Sequence, residues 1–147
     1  MNFNFTPTPL KRERYDGHTR IEDSGEVLQI ICVTYNQREE LKCFINSIKN
    51  QTINNWFLRI IHNGNCDKYK TLKKELEAEN YLNKQVTIEC TSEKYNDWEY
   101  SLRDYALKTQ YKKSDWTIIT NGSSYYAPTL AEAILNNSSK NPKVEFL

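Results

Sequence analysis

Hydrophobic positions along the chain alternate between short unbroken runs and stripes of helical period. VLQIICVT (27–34) is rich in Val and Ile without strict alternation, the pattern of a strand buried on both faces. Leu41, Phe44, Ile45 and Ile48 then fall at i, i+3, i+4 and i+7, one apolar helical stripe. Asn36 is placed to cap that helix, with Glu39 as the partner of a capping box. WFLRIIH (56–62) reads as a second strand closed by NGN, and Asp67 as the cap of a charged helix with Tyr69, Leu72 and Leu76 on its stripe. VTIEC (86–90) is a third strand, and Trp98, Leu102, Tyr105 and Ala106 predict a helix over 97–109. WTIIT (116–120) is a fourth strand; Thr129 with Glu132 forms a second capping box, opening a short helix through Ile134. VEFL (144–147) has the composition of a fifth strand's start.

Strict alternation of strand and helix implies an α/β fold: a mostly parallel sheet with helices on both faces. Ligands of such sheets bind beyond the carboxyl ends of the strands. Here those ends carry TYN (34–36), HNGN (62–65), TSEKYND (91–97) and NGSSYY (121–126), all polar. Residues 1–26 show no periodicity and contain Pro7, Pro9, Gly17 and Gly25, so they read as an arm, ordered only where it packs on the single domain over 27–147.

The length of 147 residues suits one domain with a real core, and a net charge of +1 provides no basic stripe for nucleic acid or an acidic membrane surface. The lysines at 68, 70, 73 and 74 are followed by glutamates, as on a solvated helix face. Cys32, Cys43, Cys66 and Cys90 form no CxxC pair, no secretory leader opens the chain, and no apolar run is long enough for a membrane span. A cytoplasmic, reduced protein is the expectation. No GxGxxG follows the first strand, and no GxxxxGK[ST], HExxH or GxSxG occurs; His18 and His62 are too isolated for a zinc site.

Four segments in order resemble a known family. IICVTYNQREELKCFINSIKNQT (30–52) resembles the opening of family 2 glycosyltransferases of GT-A fold, whose first strand ends in a Thr-Tyr-Asn-like turn and whose first helix ends in an Asn-Gln-Thr-like motif. LRIIHNGNCDK (58–68) is similar to their second strand and its acidic turn, NDWEYSLRDYAL (96–107) to their arginine-bearing third helix, and WTIITNGSSYYAPTL (116–130) to the strand ending in Asp-x-Asp. The resemblance spans residues 27–147. It implies a sugar nucleotide as donor, a glycan or other hydroxyl acceptor, and inverting transfer. By that likeness Tyr35 stacks near the base, Thr34 supplies backbone contacts, and Asn36, His62, Asn63, Arg103 and Asn121 complete the nucleotide site.

The chain departs from the pattern in three places. His62 and Asn63 stand where the family's second-turn acids lie, although the Asn63 amide can still bond a base edge. Asp67 matches a later aspartate of that turn, with its role as helix cap an equal reading. Asn121-Gly122-Ser123 occupies the Asp-x-Asp position, so the Mg²⁺ or Mn²⁺ the family holds there meets an amide and a hydroxyl, and binds weakly at Asn121 and Ser123. Metal-independent binding is the alternative, with Arg103 as the diphosphate's cation or, equally, as a surface ion-pair partner. Trp98 reads as core packing rather than a sugar platform. The family's general base and acceptor half follow the fifth strand, so a chain ending on VEFL suits a fragment lacking them. The expectation is a glycosyltransferase-like protein or its donor-binding half. The alternatives are a non-catalytic nucleotide-sugar-binding module, or a partner-binding α/β domain of receiver-like shape, the last disfavoured because Thr34-Tyr35-Asn36 supplies no acids.

Overall fold

The computed structural model describes residues 26–97, 99–109 and 114–140; the expected arm before residue 26, Trp98 and the strand expected over 144–147 lie outside them. Four strands, β1 (Leu28–Thr34), β2 (Trp56–His62), β3 (Val86–Cys90) and β4 (Trp116–Asn121), alternate with four helices. These are α1 (Arg38–Lys49), α2 (Cys66–Ala78), α3 (Tyr100–Lys108) and α4 (Leu130–Lys140). The sheet order is β3-β2-β1-β4 and every pairing is parallel, as the alternation implied. The two unbroken apolar runs, β1 and β2, are the central strands, buried along their whole length. The edge strands β3 and β4 are only partly buried, which is why their sequences mix Thr and Glu among the aliphatics.

Alternate residues of β1 and β2 face two different cores. Leu28, Ile30, Cys32, Trp56, Leu58 and Ile60 pack with Leu41, Phe44, Ile45 and Ile48 of α1, Leu72 and Leu76 of α2, and Ala131 and Leu135 of α4. Each such aliphatic contributes about 1.5–3 kcal/mol on burial. The opposite face is smaller: Ile31, Val33 and Ile61 meet Leu102 and Ala106 of α3. The chain therefore runs outward through β1, β2 and β3, then crosses behind the sheet through α3 to add β4 on the other side of β1.

Arg59 lies on that smaller face, and its side chain is 2% exposed. Its Nε donates to Glu89 Oε2 at 2.6 Å, its Nη1 to the Ala106 carbonyl at 2.8 Å, and its Nη2 to Thr109 Oγ1 at 2.7 Å. Tyr105 adds a hydroxyl bond to Glu89 Oε1 at 3.2 Å. This cluster holds the last turn of α3 against β2 and β3.

Helix starts differ in detail from the sequence expectation. α1 begins after Gln37, whose side chain makes no cap bond, because Asn36 is drawn into a left-handed turn (φ 51°). α2 is capped by Asn65 rather than Asp67: the Asn65 side chain accepts from the Lys68 N–H. α3 starts at Tyr100, with Asp97 accepting from the Ser101 N–H and hydroxyl. α4 runs to Lys140, well past Ile134. Its expected capping box does not form, because the Glu132 carboxylate accepts from Thr52 Oγ1 at 2.6 Å while Gln51 Oε1 caps the Ala131 N–H at 2.9 Å. Among the described residues no helix is long and apolar enough to cross a membrane.

Removing one partner of a buried ion pair leaves the other charge uncompensated. Glu89→Ala should therefore cost about 3 kcal/mol, the low end of the buried-pair range because the Glu89 side chain is 32% exposed. Arg59→Met added to that variant should recover most of the loss in chemical denaturation.

Candidate functional site

The strand register brings four turns to one level, since Thr34 pairs with His62, Val33 with Asn121 and His62 with Cys90. The first two turns are locked by His62. Its Nε2 accepts the Asn36 backbone N–H at 3.1 Å, which requires that Nδ1 carry the proton, donated to the Gly64 carbonyl at 2.7 Å. Both ring nitrogens are thus satisfied only in the neutral imidazole. Burial pushes the His62 pKa down, against the Gly64 carbonyl, which favours the charged form; the nearby Lys68 ammonium lowers it further. Gly64 sits at φ +65°, and a Cβ there would meet the Lys94 backbone nitrogen at 2.6 Å. Only glycine lets the second turn approach the β3–α3 loop so closely. Asn63 ties the same loop from its other side. Its Nδ2 donates to the Tyr95 carbonyl at 2.9 Å and its Oδ1 accepts the Tyr95 N–H at 2.8 Å.

Between these turns lies a cavity of about 310 Å³ lined by Tyr35, Asn63, Lys94, Tyr95, Asn96 and Glu99. Tyr35 is held against the His62 ring (centroids 5.5 Å apart, tilted by 38°) and its hydroxyl accepts from Asn65 Nδ2 at 3.2 Å. Two ammonium groups border its ring: Lys94 Nζ at 4.8 Å from the centroid and Lys68 Nζ at 5.6 Å. Neither pairs with a carboxylate among the described residues. Glu99 opens α3 in the left-handed region at φ 69°, a conformation that costs an ordinary L-residue roughly 1–2 kcal/mol. Arg103, one turn further along α3, faces Glu99 with 3.8 Å between Nη2 and Oε1.

The fourth turn closes on itself. Asn121 Oδ1 accepts the Ser123 N–H at 3.0 Å and the Ser123 hydroxyl at 2.7 Å, with Ser124 Oγ at 3.4 Å. The Asn121 and Ser123 side chains therefore bond each other rather than converge on a common point. No cluster of three or more His, Cys, Asp or Glu suited to a metal exists among the described residues. A neutral amide oxygen already filled by donors is a poor ligand for Mg²⁺ or Mn²⁺, which favour anionic oxygens. Gly122 presses the turn onto the first one: a Cβ there would lie 3.1 Å from Thr34 Oγ1. Behind it, the Asn-Gln-Thr segment acts as a clamp. Gln51 Nε2 donates to the Ala127 carbonyl at 2.8 Å, and the Thr52 N–H donates to the Pro128 carbonyl at 2.9 Å.

The residues singled out from sequence divide into two groups. Thr34, Tyr35, Asn36, His62 and Asn63 come together at the β1–β2 edge, and Asn121 with Ser123 adjoins them across Thr34. Within the first group, only Tyr35 and Asn63 line the cavity; His62 and Asn36 hold it from behind. Arg103 stands on α3 beside the cavity's Glu99. The loop TSEKYND is one of the polar strand ends read from the sequence, but nothing in it singles out Lys94 and Asn96, and Glu99 falls within the helix predicted over 97–109.

No family model and no curated protein matches the chain. Solved structures do. The crystal structure of S. aureus TarS aligns with a TM-score of 0.63 at 14% identity, covering 78% of this chain and 20% of that one. TarS 1–349 in complex with UDP aligns at 0.65 and 13% identity, covering 79% and 33%. The same protein with UDP-GlcNAc gives 0.65 and 14%, covering 79% and 32%. The chain thus spans a fifth to a third of the length of these neighbours. The shared feature is the fold, a Rossmann-like parallel α/β sheet.

Because the His62 pKa is lower in the folded chain than the ordinary 6.5, the unfolded chain binds the extra proton first. The stabilisation is therefore complete above about pH 6.5 and is lost as pH falls through the folded value. Thermal midpoints measured from pH 7.5 down to 5.5 should decline in the wild type. In His62→Gln the midpoint at pH 7.5 should be lower, and the decline over that window shallower.

Proposed function

We propose that this chain is the donor-binding part of a glycosyltransferase-like protein, taking a nucleotide sugar at the carboxyl edge of its sheet. The observation that carries the reading is the cavity beside Tyr35, in a fold shared with TarS, whose crystal structures hold UDP and UDP-GlcNAc. The base stacks on the Tyr35 ring, displacing the Lys94 ammonium that borders it in the free chain. The ribose and diphosphate then extend toward the first turn (Thr34–Asn36) and the turn at Asn121. That direction follows the crevice between β1 and β4, where the chain's course through the sheet reverses. Arg103, whose contact with Glu99 is too long for a hydrogen bond, supplies positive charge to the phosphates.

The reaction proposed is inverting transfer of the sugar to a glycan hydroxyl, for which these residues supply the donor side. Nucleotide binding is metal-independent in this reading, because the Asn121 amide oxygen is already filled by its own turn. The same closed turn favours a second reading, a non-catalytic nucleotide-sugar-binding module, which assays for sugar transfer and for hydrolysis distinguish from the first.

Tyr35→Ala should weaken binding of uridine or guanosine diphosphates by about five- to a hundred-fold, given the roughly 1–3 kcal/mol that base–aromatic stacking contributes. Its thermal midpoint should stay near that of the wild type. A lowered midpoint with unchanged affinity would mean that Tyr35 only plugs the top of the sheet, and a chain that binds no nucleotide favours a partner-binding domain instead.

Chelation with EDTA should leave wild-type affinity within about threefold, less than the loss of a single hydrogen bond. In the double variant Asn121→Asp, Ser123→Asp, affinity should become Mn²⁺-dependent by calorimetry. Metal dependence in the wild type would contradict the proposal.

A further inference from the structure

Two of the chain's four glycines follow an asparagine, at Asn63-Gly64 and Asn121-Gly122. In an Asn-Gly pair the backbone nitrogen attacks the preceding side-chain carbonyl most easily, because glycine sets no Cβ across the approach. The fold treats the two pairs oppositely. Asn63 is 3% exposed, both ends of its amide are bound to the Tyr95 backbone, and the Gly64 N–H donates to Thr91 Oγ1 at 3.0 Å. Attack there requires those bonds to break first.

Asn121 is held for attack instead. Its Oδ1 accepts the Ser123 N–H, an Asx turn that folds the side chain along the Gly122 peptide. The same oxygen accepts the Ser123 hydroxyl and ends a relay of three more. Tyr126 donates to Thr120 Oγ1 at 2.8 Å, Thr120 to Ser124 Oγ at 3.0 Å, and Ser124 to Asn121 Oδ1 at 3.4 Å. Hydroxyls in such a chain polarise one another, and the donors converge on the oxygen that turns anionic when the amide carbon becomes tetrahedral. The Asn121 Nδ2, which would leave, donates to no partner among the described residues, so its departure breaks no bond of the fold. Packing also keeps glycine in place, since a Cβ at Gly122 would lie 3.3 Å from both Gln37 Oε1 and Leu41 Cδ1.

We propose that Asn121 is a modification site, deamidating in the folded chain to aspartate and isoaspartate. The Gly122 nitrogen gives its proton to hydroxide and bonds to Asn121 Cγ. The Cγ–Nδ2 bond breaks, Nδ2 leaves as ammonia with a proton from water, and a succinimide remains. Water opens that ring at Cγ, restoring the ordinary peptide beside an aspartate, or at the backbone carbonyl, leaving the chain routed through the side chain. Resting on the nucleotide-binding reading above, the new carboxylate opposes a diphosphate at this turn. The metal-independent edge thereby becomes one that needs a divalent cation.

The test is incubation of the whole chain at mildly alkaline pH, folded and in urea, with peptide mass spectrometry at both pairs. In the folded protein Asn121 should convert at least about tenfold faster than Asn63, the effect of one or two hydrogen bonds that Asn63 must break. In urea the two rates should converge, with Asn121 no faster there than in the folded chain. Ser123→Ala, which keeps the N–H bond and loses the hydroxyl, should slow the folded rate about fivefold, the size of one hydrogen bond, and leave the rate in urea unchanged. A folded Asn121 that converts no faster than Asn63, or more slowly than in urea, overturns the proposal, because the turn then protects its amide. Modified protein separated by anion exchange, and Asn121→Asp as its pure aspartate form, should bind UDP more weakly in EDTA and regain affinity with Mn²⁺. Equal UDP affinity of fresh and modified protein, with and without Mn²⁺, overturns the effect on the ligand. If neither form binds a nucleotide, the donor-binding reading falls, while the mass data still decide the modification.

Discussion

The imidazole of His62 spans two turns that leave neighbouring strands, and the geometry of the ligand edge follows from its two hydrogen bonds. By accepting the Asn36 N–H it holds Asn36 in a left-handed turn, which moves the start of α1 one residue on and sets Tyr35 beside the second turn. By donating to Gly64 it fixes the strand exit whose glycine alone permits contact with the Lys94 backbone. A carboxylate at position 62 could accept the Asn36 N–H but could not also donate to a carbonyl at neutral pH. The histidine is therefore a structural choice before it is a ligand residue, and it makes the cavity's shape depend on a single protonation state.

The opposite end of α3 is fixed by different physics. A buried ion pair stabilises no more than well-packed apolar side chains of equal volume, so the Arg59–Glu89 pair adds little net stability. What it adds is direction. The guanidinium reaches the Ala106 carbonyl and Thr109 at the last turn of α3, where apolar packing from Leu102 and Ala106 alone would allow sliding. With its C-terminal end pegged to β2 and β3, the helix brings the residue that precedes it, Glu99, to the cavity wall. His62 and Arg59, both on β2, thus position the two sides of the same pocket.

The sheet was legible because β1 and β2 are buried on both faces, and only unbroken aliphatic runs satisfy that environment. The helices were legible from their stripes, but their starts were not. Asn36 and Asp67 have the right side chains for caps, yet Asn36 is held by His62 and the cap of α2 falls to Asn65. At α2 the replacement is local, two residues earlier, but at α1 and α4 a tertiary hydrogen bond outcompeted the local one, and at α4 the competitors, Gln51 and Thr52, lie some eighty residues away in the chain. The positions along the strand ends were readable as polar turns. Which polar residues face a common cavity depends on the backbone twist at Gly64 and Glu99, and a sequence pattern does not record φ.

The turn at Asn121 bears on how a phosphate could be held here. Its three donors, the Ser123 N–H and the hydroxyls of Ser123 and Ser124, would be accepted as well by an aspartate oxygen, and charge-assisted bonds would be stronger. The fold therefore gives no reason for an amide rather than a carboxylate at this position. The difference falls on the approach of an anion. Two carboxylates at this edge would repel a diphosphate unless a divalent cation stood between them, whereas the neutral pair leaves the field to Lys68, Lys94 and Arg103. In the donor-binding reading proposed above, an edge with no acid at Asn121 or Ser123, and with Lys68 and Lys94 paired to no carboxylate among the described residues, would let a phosphate approach with no metal to bridge the two.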